Sequence, residues 1–99
     1  MPRTRRFSDQ PFGPTIQRLM EERERTYRDL AHETGLSAGY LNHLVHGNRP
    51  VPSDDVIATL AQALGAEADH FQEIRIRRIS ERLERMPELI DRLYRRLST

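Results

Sequence analysis

The stretch from Thr26 to Arg49, TYRDLAHETGLSAGYLNHLVHGNR, constrains this fold more than any other. Thr26 and Asp29 stand in the S/T-x-x-D/E spacing in which a hydroxyl and a carboxylate cap each other's backbone N–H. The helix they open runs through Leu30 and Ala31 to about Thr34. Gly35 stands where a left-handed residue ends a helix, a conformation that glycine takes without a Cβ clash. Leu36 is apolar inside the turn and is expected to face a core. Ser37 is placed to cap a second helix. Leu41 and Leu44 share one face of that helix, and Gly47 closes it. Two helices on so short a turn cross closely, which favours the small Ala31, with Leu30, Leu36, Leu41 and Leu44 as the wedge between them. The plain reading is a helical hairpin in an all-α domain. The sharper one is a helix-turn-helix.

The residues Leu30-Ala31, Gly35-Leu36-Ser37, Tyr40-Leu41, Leu44 and His46-Gly47-Asn48-Arg49-Pro50 resemble the DNA-binding domain of the phage-repressor and Cro (XRE-type) helix-turn-helix family. Ile57, Leu60-Ala61 and Ala63-Leu64-Gly65 match its fourth helix. The resemblance covers about residues 14–72 and is densest over 26–65. It implies a five-helix, lambda-repressor-like all-α domain over residues 13–72, with a C-terminal helical extension over 73–99.

The flanks are read from their own residues. Residues 1–12, with Arg3, Arg5 and Arg6 between Pro2 and Pro11, are expected to form a basic arm suited to a minor groove or to simple solvation. The first helix is expected from Gly13 or Pro14 to about Glu24, with Phe12, Ile16, Leu19 and Met20 inward. Gln17, Arg18, Glu21, Glu22, Arg23 and Arg25 would then be its wet face. After NRPVPS, Ser53 is a candidate N-cap. Asp54 and Asp55 lie in the first turn, and Val56, Ile57, Leu60, Ala61 and Leu64 form a buried stripe ended by Gly65. Ile76, Ile79, Leu83, Met86, Ile90, Leu93 and Leu97 follow 3,4 spacing, the seam of a coiled coil, interrupted by Pro87. A break is expected near Pro87, which would begin the last helix. The seam needs a partner. It packs on its own domain or, as favoured here, on a second copy. Arg75, Arg78, Arg82 and Arg85 form a stripe read as a solvated face, supported by Glu81–Arg85, Glu88–Arg92 and Asp91–Arg95 pairs.

All sixteen basic residues are arginine, and the formal charge of +1 hides a strong asymmetry. Residues 1–28 carry +3, residues 29–70 carry −5 and residues 71–99 carry +3. No cysteine is available for a disulfide or a thiolate metal site. No apolar run spans a membrane and no signal peptide is evident, so a cytoplasmic location is expected. His32-Glu33 lacks the second histidine of a zinc-protease motif, and His43 with His46 offers only two metal ligands. No metal, no cofactor and no enzymatic activity are expected.

The resemblance also implies a site. Base edges would be met by Ser37, Ala38, Gly39, Asn42 and His43, with Asn42 suited to adenine through both amide groups. Ala38 and Gly39 stand where the family often has long polar residues, so close backbone approach and DNA shape would carry part of the specificity. Phosphates would be met by Thr26, Tyr27, Arg28, Tyr40, His46, Asn48 and Arg49. The implied function is sequence-specific binding of double-stranded DNA by a homodimeric repressor on a palindromic operator. The alternatives are an antitoxin that wraps a toxin with its C-terminal helices, and a helical protein–protein adaptor.

Overall fold

The computed structural model describes residues 7–99. Arg3, Arg5 and Arg6 of the expected arm lie outside the described residues. The chain folds into helices α1 (Phe12–Glu22), α2 (Tyr27–Thr34), α3 (Ala38–Val45), α4 (Asp54–Ala63), α5 (Gln72–Glu84) and α6 (Pro87–Leu97), with a 3-10 turn at Ala68–His70 before α5. Among the described residues there is no strand. α1 and α2 each pack on α3, α4 packs on α2 and on the 3-10 turn, and α6 packs on α5.

Amphipathic spacing builds the core. Phe12, Ile16, Leu19 and Met20 of α1, Leu30 of α2, and Leu41, Leu44 and Val45 of α3 meet Ile57, Leu60, Ala61 and Leu64. Phe71 and Ile74 close it from the root of α5, and the rings of Phe12 and Phe71 lie 5.2 Å apart. Leu36 and Val56 are half-buried at its edge. α5 thus starts at Gln72, with Ile74 of its first turn in the core and its later turns mostly exposed.

Helix ends follow the sequence closely where a cap is local. Thr26 Oγ1 accepts from Asp29 N–H at 3.1 Å and an Asp29 carboxylate oxygen accepts from Thr26 N–H at 3.0 Å. Ser37 and Ser53 cap α3 and α4 through Tyr40 N–H and Val56 N–H. Gly35, Gly47 and Gly65 sit at φ 78°, 74° and 69°. Pro87 begins α6, after a break at Met86.

Three features differ from the expectation. α1 begins at Phe12 and ends at Glu22, two residues short of Glu24. Glu24 itself takes the left-handed position at φ 54°, with its N–H bonded to Glu21 O and Arg25 N–H to Met20 O. This is the arrangement that glycine provides at Gly47 and Gly65, here adopted by a residue with a Cβ. The wet face of α1 is also less free than its spacing implies. Arg18 bonds the buried His70 Nε2 at 2.8 Å, and Arg23 Nε donates to Leu64 O at 3.0 Å, where a cation complements the C-terminus of α4. Finally, residues 8–11 are tied down. Ser8 is buried, its N–H donates to His70 O at 2.8 Å, and its hydroxyl meets Thr15 Oγ1 at 2.7 Å.

Gly13 brings α1 against α3. A Cβ on Gly13 would stand 2.4 Å from Val45 O, a backbone atom that cannot step aside without moving the end of α3. Gly39 has open space around it. Gly13→Ala is therefore expected to cost about 1–3 kcal/mol of stability as an overpacking change. Gly39→Ala is expected to be neutral or to gain up to about 1 kcal/mol. Urea denaturation of the two variants checks the contrast.

Candidate nucleic-acid interface

α3 is eight residues long and owes its orientation to packing rather than to intrinsic helicity. With Leu41, Leu44 and Val45 buried, Ala38, Gly39, Asn42, His43 and His46 are left exposed on its outer side, and Ser37 is exposed at its tip. The Ser37 hydroxyl oxygen is engaged as the helix cap. The side chains of Asn42 and His43 make no hydrogen bond among the described residues, so both have full donor and acceptor capacity. His46 is turned back, with Nδ1 at 2.8 Å from Asn42 O.

α2 packs directly on α3, so the N-terminus of α2 and the outer side of α3 form one body. Thr26 and Arg28 are exposed there, and Arg28 has no ion pair among the described residues. Tyr27 and Tyr40 are half-buried and pack on the core, so each presents only part of its ring to solvent. Arg25 is occupied by Glu33 at 3.3 Å. Asn48 and Arg49 are exposed in the loop after α3, and Asn48 N–H bonds His43 O at 2.9 Å, which fixes the start of that loop to α3.

A profile described as a helix-turn-helix domain matches residues 11–74. This chain belongs to the helix-turn-helix domain family. Its resemblance is to the XRE-like members. The chain is similar to the HTH-type transcriptional repressor RghR of Bacillus subtilis (strain 168), 40% identical over 53 residues, which is 54% of this chain and 39% of that protein. It thus spans about two-fifths of the length of this curated relative. Its fold is similar to the crystal structure of the clp gene regulator ClgR from Corynebacterium glutamicum, with a TM-score of 0.55 and 26% identity over 79% of this chain and 87% of that one.

In this helix-turn-helix protein the expected dimerisation seam is uncovered in the single chain. Ile76, Ile79, Met86, Ile90, Leu93 and Leu97 are exposed and Leu83 is half-buried, with Ile79 at 58% and Leu97 at 83%. Tyr94, outside the seam pattern, joins it at 72%. The arginine stripe beside it divides. Arg75 turns inward, bonds Ser8 O and stacks 4.6 Å over the Phe7 ring. Arg78, Arg82 and Arg85 line an open groove of about 410 Å³ with Glu81. None of the expected Glu81–Arg85, Glu88–Arg92 and Asp91–Arg95 pairs forms. The small gain of an exposed pair does not offset the entropy of holding two long side chains together.

Among the described residues, no group of three or more His, Cys, Asp or Glu side chains is arranged to hold a metal ion. No described helix is long and apolar enough to cross a membrane. Sequence reasoning missed Arg18, Arg23, Arg75 and Arg77 as structural contacts, because their partners lie between 23 and 67 residues away. No local signal marks them.

The capping box makes the front edge of the site pH-sensitive. The Thr26 backbone N–H, and then its hydroxyl, hold the Asp29 carboxyl below the usual carboxylate range. A depressed folded pKa contributes stability above the unfolded value, and that contribution is lost as pH falls through the folded one. The Asp29 carboxyl carbon, followed by NMR, is expected to titrate below an unstructured reference peptide. Thr26→Ala, which removes the hydroxyl but keeps the backbone N–H, is expected to move its midpoint part of the way back up.

Proposed function

We propose that this protein is a sequence-specific, double-stranded DNA-binding transcriptional regulator. It acts as a repressor by occupying a palindromic operator as a homodimer. The observation that carries the reading is the outer face of α3, where Asn42 and His43 stand exposed with unsatisfied polar groups, on a helix held by α1 and α2. Ser37, Ala38, Gly39, Asn42 and His43 meet base edges in the major groove, with Asn42 reading adenine. Ala38 and Gly39 let the backbone of α3 come close to the groove. Thr26, Tyr27, Arg28, Tyr40, His46, Asn48 and Arg49 meet the flanking phosphates, and Arg28 and Arg49 are the cations among them that have no ion pair among the described residues. Residues 13–72 form the DNA-binding unit, and residues 73–99 pair the two copies through Ile76, Ile79, Leu83, Met86, Ile90, Leu93 and Leu97. The names of the RghR and ClgR proteins, a transcriptional repressor and a gene regulator, support the same class of function.

Selection from a random duplex pool at two salt concentrations tests the reading. A palindrome with half-sites about one helical turn apart is the expected product. Asn42→Ala is expected to lose preference for that sequence. Arg49→Ala is expected to weaken binding to all sequences alike and to reduce the salt slope by about 1. Salt-sensitive binding that enriches nothing would reduce the protein to backbone contact.

The exposed seam, flanked by Arg78, Arg82 and Arg85, which have no ion pair among the described residues, favours one second reading, an antitoxin that binds a toxin through α5 and α6. Sedimentation separates the two. A dimer of the purified chain that Leu93→Asp converts to monomer supports pairing between copies. A monomeric parent sends the seam to another protein.

A further inference from the structure

The loop from Gly47 to Ser53 follows α3 and carries Asn48 and Arg49. Its first residues are tied to α3 by the bond from Asn48 N–H to His43 O. Its far end is held from a distant element. Arg77 of α5 donates from Nη1 to Pro52 O at 2.9 Å and pairs through the same nitrogen with Asp54 Oδ1 at 2.6 Å. Among the described residues no other hydrogen bond reaches positions 49–52. Pro50 and Pro52 have no N–H to give, so the loop cannot build its own ladder. Pro52 is buried and Val51 packs on the core, which sets the loop's depth. Arg77 sets its lateral position.

We propose that Arg77 is a positioning residue for DNA binding: it holds the loop so that Arg49 meets the phosphate backbone, and it ties α5 to the DNA-contacting face. This rests on the reading of Arg49 as a phosphate contact. Arg77 is not itself a phosphate ligand in this scheme, because its guanidinium is occupied by Pro52 and Asp54. Its root position matters too. α5 continues into the exposed seam, so whatever covers the seam acts on the same helix that steadies the loop.

The test has two readouts on Arg77→Gln, with Arg78→Gln as the neighbour that loses the same charge but has no partner among the described residues. In the free protein, the backbone amide order parameters of Arg49 and Val51 from NMR relaxation are expected to fall from about 0.85 toward about 0.6 in Arg77→Gln and to stay at the parent value in Arg78→Gln. Amide hydrogen exchange at Leu41 and Leu44, which are bonded within α3, stays slow in both, which shows that the core is intact. In binding to the selected duplex, Arg77→Gln is expected to weaken affinity about three- to tenfold. In an Arg49→Ala background the same change is expected to have less than about a twofold effect, the non-additivity of residues that act as one unit. Unchanged loop order parameters overturn the proposal, as does a loss of affinity that is equally large without Arg49. If the loop order parameters fall but the parent enriches no duplex, the DNA reading has failed and Arg77 is a structural clamp alone.

Discussion

The contact on which this molecule depends is the approach of α1 to the end of α3 at Gly13. α3 is too short to hold a direction by itself, and its fully buried residues are Leu41, Leu44 and Val45. The missing Cβ lets the first turn of α1 lie directly against the Val45 carbonyl. Phe12, beside Gly13, enters the core, where its ring meets Phe71 at the root of α5. α2 fixes α3 from another side, with its start pinned by the Thr26–Asp29 cap. The outer face of α3 is therefore a consequence of its packing: once three residues are buried, Asn42 and His43 have nowhere to point but out.

That dependence explains what the sequence disclosed and what it did not. Caps, breaks and helix ends were legible because each is made by residues a few positions apart. Thr26 with Asp29, Ser37 with Tyr40, Ser53 with Val56, Gly35, Gly47, Gly65 and Pro87 all act locally. Together they set both ends of α2, α3 and α4 and the start of α6 to within a residue or two. The inward stripes were legible for the same reason, since they need only the helical period. Gly13 was not. As a residue it marks a helix start, and its role appears only when Val45, in another helix, is brought against it. Glu24 was missed because a left-handed helix end usually shows itself as glycine or asparagine. In the candidate site the exposed face of α3 was legible from Leu41 and Leu44. The partial burial of Tyr27 and Tyr40 was not, since it depends on how α2 and α3 meet the remaining core.

The C-terminal pair reverses this pattern. Its 3,4 repeat is plain in the sequence, yet in the single chain the repeat describes a surface and not a core. Pro87 divides it into helices of 13 and 11 residues, so a continuous coiled coil through the whole repeat is ruled out by geometry. Any partner has to meet two short apolar faces set at a bend. The absence of the expected i,i+4 ion pairs fits this. The exposed sides of α5 and α6 gain little from their own charges, and covering their apolar area would stabilise them more.

The all-arginine composition takes on a different meaning once the contacts are sorted. By formal charge the two ends of the chain look equally suited to a polyanion. In the fold, Arg23, Arg75 and Arg77 are engaged by carbonyl oxygens at Leu64, Ser8 and Pro52, while Arg18 reaches His70 and Arg25 is paired with Glu33. A guanidinium suits this work because its fork of fixed donors reaches two acceptors through different nitrogens, as Arg23 does with Leu64 O through Nε and Gly65 O through Nη2, whereas lysine offers a single nitrogen. All of these arginines but Arg25 bind segments far apart in the chain to a small core. The positive charge left for a partner is correspondingly smaller and more localised. Beside α3 it comes down to Arg28 and Arg49 among the described residues, and on α5 to the groove of Arg78, Arg82 and Arg85. Net charge alone overstates the attraction to DNA, and the distribution of unpaired arginines is the better guide to where an anion or an acidic partner would settle.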